Sequence, residues 1–165
     1  MKNDSHAATN LVRLVYASEK SPECAIQDLR EILAIARSHN RGAGITGFLC
    51  FSGDRFLQAI EGPPKAVNEL YASMLKDKRH QRVQLLDYRN VAHREFPQWE
   101  MGYAHSLDPH SEVLGTHFGK HAFAPHELTG IEALDLLRIL ATSTRPGEVP
   151  PDRERFEVET SANSA

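Results

Sequence analysis

Two side chains on candidate strands carry most of the chemistry this sequence can offer. In RFLQAIE (55–61) alternation places Gln58 on one face with Phe56 and Ile60, while Leu57 and Ala59 take the other. A primary amide among apolar neighbours has two donors and a carbonyl acceptor to satisfy, and an unpaired buried polar group costs about 1–3 kcal/mol. Such a Gln is either a core residue bonded to backbone or water, or a polar group aimed at a ligand. Tyr16, in LVRLVYAS (11–18), shares a face with Val12 and Leu14; it is either a packing residue whose hydroxyl finds a carbonyl or water, or a second polar tip at the same site. His39-Asn40 sits where a helix should end. Asn there commonly caps in the left-handed region, and a histidine there lies well against the helix dipole.

Other candidates carry less. His117 and His121 have an i, i+4 metal-ligand spacing, but Gly119 between them and the lack of an apolar stripe favour a solvated linker. The two cysteines, Cys24 and Cys50, belong to no C-x-x-C pair, so a Cys₄ zinc site and a disulfide framework are excluded.

The elements that must position these groups follow from periodicity. After the first strand, Ser21-Pro22 reads as N-cap and first helical residue, with Ile26, Leu29, Leu33 and Ala36 at helical spacing to about Ser38. Asn40-Arg41-Gly42-Ala43-Gly44 ends that helix. Strands 45–51 and 55–61 flank Ser52-Gly53-Asp54, a connection of hairpin length. Gly62-Pro63-Pro64 then starts a helix whose stripe is Val67, Leu70, Tyr71, Met74 and Leu75, ending near Lys76-Asp77. A strand at 82–91 and a short one around Trp99-Glu100-Met101 complete a β-α-β-β-α-β-β order, expected to form an α+β, ferredoxin-like sheet with both helices on one face.

Strands 45–51 and 55–61 are apolar on both faces, so the second face also needs cover. The capping-box pattern Thr129-x-x-Glu132, followed by Ile131, Leu134, Leu137 and Leu140, predicts that cover from one or two helices within about 108–143. The expected organisation is a flexible terminus at 1–10, a core at 11–104, a helical extension at 105–143 and a disordered tail at 144–165. With 165 residues, 41% apolar and 25% charged, the chain has ordinary globular composition, and its net charge of −3 gives no general case for nucleic acid or anionic membrane. It carries no signal-peptide pattern and no run of membrane-spanning length, so a cytoplasmic single-domain protein is expected.

Taken in order, LVYAS (14–18), SHNRGAGITG (38–47), RFLQAIEG (55–62), DKRH (77–80) and FPQWEMG (96–102) resemble the BLUF family, the blue-light sensors that use FAD. The resemblance covers about residues 11–103. It implies a flavin held between the two N-terminal helices, above the sheet, with FMN or riboflavin accepted as alternatives to FAD. Tyr16 matches the photoactive tyrosine and Gln58 the glutamine between it and the flavin. Asn40 matches the asparagine that hydrogen-bonds the polar edge of the ring, with His39 adjacent, and Asp77 and His80 match positions lining the ribityl side. Trp99 and Met101 match the W-x-M pair that couples the flavin to the sheet edge. The implied mechanism is transient electron and proton transfer from Tyr16, a turn or tautomer change of the Gln58 amide, and a small reversible red shift.

Three other readings compete. A light-inert flavin-binding or protein-interaction scaffold of the same fold would need no photochemistry. A small acyl-phosphate hydrolase needs an anion loop feeding the first helix, where this chain has SEKSPE. An RNA-binding sheet needs the RNP pattern, which is absent. No cyclase, phosphodiesterase or helix-turn-helix signature follows residue 103, so the expectation is a non-enzymatic sensor that signals to a separate effector protein, as a homo-oligomer, without binding nucleic acid or membrane.

Overall fold

Strand alternation with apolar residues on both faces builds a sheet that must be covered twice. The computed structural model describes residues 10–25, 27–105 and 123–144, the side chain of His105 excepted. Five strands, β1 (Leu11–Lys20), β2 (Thr46–Ser52), β3 (Arg55–Gly62), β4 (His80–Val91) and β5 (Gly102–His105), lie in the order β4-β1-β3-β2-β5. The β1–β3, β1–β4 and β2–β3 pairs are antiparallel and β2–β5 is parallel. Helices α1 (Asp28–Ala43) and α2 (Pro64–Leu75) are the crossovers of two interleaved βαβ units. Right-handed connections put both on one face, the expected ferredoxin-like arrangement.

Under α1 and α2 lie Val12, Leu14, Tyr16, Leu49, Phe56 and Ile60. The opposite face carries Val15, Phe48, Cys50, Leu57 and Ala59, covered by Phe96, Phe123 and α3 (Gly130–Thr142). The capping box forms as the sequence predicts: Thr129 Oγ1 accepts from the Glu132 N–H at 3.2 Å and Glu132 Oε2 accepts from the Thr129 N–H at 2.8 Å. The buried stripe of α3 is rotated from the expected one. Ala133, Leu136, Leu137 and Leu140 face the sheet, while Ile131 is 64% exposed. A 3₁₀ turn, Pro125–Glu127, precedes α3.

Four boundaries differ from the sequence reading. The α1 helix begins at Asp28, because Ser21 is engaged elsewhere: its Oγ donates to the Lys78 carbonyl at 2.5 Å and its own carbonyl accepts from the Cys24 N–H at 3.1 Å. The helix also runs on to Ala43 and is capped by Gly44 at φ 69°, so Asn40 sits inside its last turn rather than at the cap. The fifth strand is Gly102–His105, one step after Trp99–Met101, and β4 starts at His80 rather than Arg82. Gly102 is required where it stands, since a Cβ at that position would collide with the Phe48 ring. Residues 1–9, Ile26, His110, His117, His121, the first part of the expected 108–143 cover and residues 145–165 lie outside the described residues.

A buried ion pair joins β1 and β3 on the α3 side of the sheet. Arg13 Nε donates to Glu61 Oε1 at 2.7 Å, with side-chain exposures of 7% and 0%. The Glu61 carboxylate also accepts the N–H groups of Glu95 and Phe96. Glu95 in turn receives Arg138 of α3 at 2.6 and 2.9 Å. A carboxylate so thoroughly hydrogen-bonded can stay buried.

Candidate functional site

Between α1, α2 and the sheet lies a cavity of about 490 Å³, within the usual range for a small-molecule or cofactor site. Its floor is set by register. Tyr16 and Gln58 are direct cross-strand partners in the β1–β3 ladder, so strand geometry alone brings their side chains together. The Tyr16 hydroxyl donates to Gln58 Oε1, and Met74 Sδ, on α2, lies 3.2 Å from the same hydroxyl. Gln58 Nε2 donates to Met101 Sδ at 3.1 Å. Burial pushes the Tyr16 phenol well above its ordinary pKa, with Tyr71 and Asp77 adding to the shift, so it stays protonated across the physiological range.

Asn40 enters from α1, on the same helix stripe as the buried Leu29 and Leu33. Its Nδ2 donates to the Glu100 carbonyl at 2.6 Å, while its buried Oδ1 has no partner. That carbonyl is one of three consecutive ones held in place. Gly47 N–H binds the Trp99 carbonyl at 3.0 Å and Arg37 Nε binds the Met101 carbonyl at 2.9 Å. The 99–101 segment is thus clamped by α1 and β2 while its side chains split between faces. Met101 is buried on the cavity side. Trp99 packs edge-on against Phe48 at 5.7 Å, on the α3 side.

His39, Asp77 and His80 also line the cavity. His39 is exposed at its rim. The Asp77 carboxylate is held below its usual range mainly by hydrogen bonds from Arg79, at 2.7–3.1 Å. His80 has both ring nitrogens committed, to Ser18 Oγ at 3.1 Å and to the Met74 carbonyl at 2.5 Å. It shapes the wall and positions α2. The structure therefore gathers Tyr16, Gln58, Asn40, His39, Asp77, His80 and Met101 at one cavity and leaves Trp99 beneath the opposite cover.

A protein-family model described as "BLUF: Sensors of blue-light using FAD" matches residues 11–102. The chain belongs to the BLUF family. Subunit beta of the photoactivated adenylate cyclase of Euglena gracilis is 36% identical over 115 residues, 68% of this chain but only 13% of that protein. Two solved structures match over nearly their whole length. The photo-activated state of BlsA has a TM-score of 0.73 at 30% identity, covering 86% of this chain and 99% of that one. The dark state of BlrB, a BLUF protein, has 0.68 at 30% identity, covering 82% and 98%. What the BLUF match describes is a sensor domain, not an enzyme.

The residues present fit a flavin. Asn40 lines the cavity and its buried Oδ1 is an acceptor without a donor, and the pyrimidine edge of an isoalloxazine offers an N–H. Arg79, Met74 and Leu70 border the BLUF cavity without having been distinguishable in the sequence. Met74 and Leu70 belong to an apolar stripe that reads only as packing, and Arg79 stands within the DKRH motif, which assigns roles to Asp77 and His80 alone. Among the described residues no His/Cys/Asp/Glu cluster could hold a metal and no helix is long and apolar enough to cross a membrane.

Proposed function

We propose that this BLUF chain senses blue light through Tyr16 and Gln58 and passes the signal along the 99–101 segment. One observation carries the reading: an unbroken run of hydrogen bonds from the Tyr16 hydroxyl through Gln58 to Met101. Bound flavin supplies light absorption and an oxidising excited state. Tyr16 is the electron and proton donor; as a buried, protonated phenol it holds its proton in the dark. Gln58 is the element with two settings, because its amide can present either a donor or an acceptor to the same neighbour. Asn40, with His39 beside it, orients the ring, while Asp77 and His80 shape the ribityl side.

When the Gln58 amide turns, its N–H leaves Met101. The 99–101 segment then loses a contact on the cavity face while Trp99 still reports to the α3 face. Residues 11–104 are the flavin-binding unit and 105–143 the output extension. The partner is an effector protein met in the cytoplasm, with the sensor as a homo-oligomer; FAD is the cofactor, with FMN and riboflavin tolerated.

The test is an absorbance spectrum of the FAD-loaded protein in the dark, after blue light and during recovery. The wild type should shift slightly to the red and return. Tyr16→Phe should bind FAD with no shift; a wild-type shift in that variant removes Tyr16 from the mechanism, and a wild type without any shift removes the sensor.

A further inference from the structure

We infer that Met74 is a positioning residue of the switch: its sulfur takes over the Tyr16 hydroxyl hydrogen bond when the Gln58 amide turns. The inference rests on the proposed Tyr16–Gln58 mechanism and adds a residue to it.

The switch concerns two of the cluster's three donors, the Tyr16 O–H and the Gln58 N–H that meets Met101. In the present setting the hydroxyl donates to Gln58 Oε1, and the amide donates to Met101 Sδ at 3.1 Å. Turning the amide places Nε2 against the Tyr16 oxygen. That oxygen becomes an acceptor, and its own proton needs a new partner. A buried phenol that loses its acceptor bears the full desolvation penalty of an unpaired group. Met74 Sδ already lies 3.2 Å from the hydroxyl, where a thioether can accept weakly. The switch therefore exchanges one thioether for another: Met101 is bonded in one setting and Met74 in the other, with the phenol proton partnered in both.

Met74 is held for this role by its backbone. Its carbonyl accepts from His80 Nε2 at 2.5 Å, and His80 Nδ1 is bound to Ser18, two residues beyond Tyr16 on β1. The same carbonyl accepts from the Asp77 N–H at 3.1 Å, where α2 ends. An unbranched side chain on an anchored backbone can reach the phenol without a strained rotamer. Neither the packing of Met74 on the core nor the apolar pattern of α2 requires a sulfur there; leucine would pack as well.

The chain has three methionines, Met1, Met74 and Met101, so methyl-¹³C-methionine labelling of the full FAD-loaded protein yields a spectrum with three methyl signals. Each is assigned by comparison with Met74→Leu and Met101→Leu. On blue illumination both the Met74 and Met101 signals should move, and in the dark Tyr16→Phe should move Met74. Met74→Leu should recover about five-fold faster, and Met74→Gln, which restores an acceptor, should return recovery to within two-fold of wild type. A red shift with a stationary Met74 signal, or Met74→Leu recovering at the wild-type rate, overturns the inference and leaves the Tyr16–Gln58 reading standing. Absence of any red shift in the wild type overturns the reading beneath it, and Met74 with it. The illumination experiment is made on the wild type, so its outcome does not depend on how well any variant folds.

Discussion

The two faces of the sheet are built from the same strands and do opposite work. Along β3, Leu57 and Ala59 point into a face closed by α3, where Phe48, Phe96 and Leu136 pack against one another. Phe56, Gln58 and Ile60 point the other way, toward α1 and α2, which stand apart over about 490 Å³. The closed face stabilises the molecule. The open face leaves space and tolerates polar groups such as Tyr16, Gln58 and Asn40. A period of two residues thus separates stability from chemistry within one strand, and a change on one face should leave the other's property alone.

The largest effect should come from the ion pair that links the closed face to the 94–96 segment. Glu61→Ala leaves buried Arg13 with only the longer Glu95 contact at 3.6 Å, and removing one half of a buried pair costs about 3–5 kcal/mol. Urea unfolding of the dark protein would measure it, and a loss under about 1 kcal/mol, the scale of an exposed pair, would mean that Arg13 finds water or Glu95 instead. Next, Leu57→Ala on the closed face should cost about 2–5 kcal/mol. Its neighbour Gln58→Leu should change the stability of the FAD-free protein by no more than about 1 kcal/mol, while abolishing the red shift of the loaded one. Similar losses from both would erase the distinction between faces.

A smaller effect is expected at Asn40. Asn40→Ala removes an acceptor from the cavity and a donor from the Glu100 carbonyl, and should weaken FAD binding about ten-fold, the equivalent of one hydrogen bond. Unchanged affinity would reduce Asn40 to a clamp on the 99–101 segment. The smallest effect concerns pH. Hydrogen bonds from Arg138 hold the Glu95 carboxyl below the usual carboxylate range. Its contribution to stability is therefore full above the unfolded value of about 4.3 and is lost as pH falls below that through the lower folded value. Denaturant midpoints between about pH 6 and about pH 3 should drop less steeply in Glu95→Gln; parallel curves would show that the Arg138 contact contributes nothing.

What the sequence discloses and what it withholds divide along physical lines. Alternation in β2 and β3 predicts two covered faces, and the Thr129–Glu132 pattern predicts the helix that covers the second, because both signals are local. The start of α1 is not legible: Ser21-Pro22 has good capping chemistry, yet Ser21 bonds Lys78, which is 57 residues away. Asn40 can be singled out by type, but only the fold shows that one of its amide atoms is occupied by Glu100 and the other is left over. The Arg13–Glu61 pair and the Met74 sulfur are invisible for the same reason. Their meaning lies in partners brought near by the sheet and by α2, and no spacing along the chain encodes that.

The direct pairing of Tyr16 with Gln58 across β1 and β3 has a consequence for how such a chain can vary over generations. Insertions and deletions can accumulate in the loops, but a single residue gained or lost within β1 upstream of Tyr16, or in β3 before Gln58, turns one of the two toward α3 and strands its polar end in the closed core. Substitution is then the only permissive route of change in these strands, and sensors of this kind should differ in length almost everywhere except along that pair.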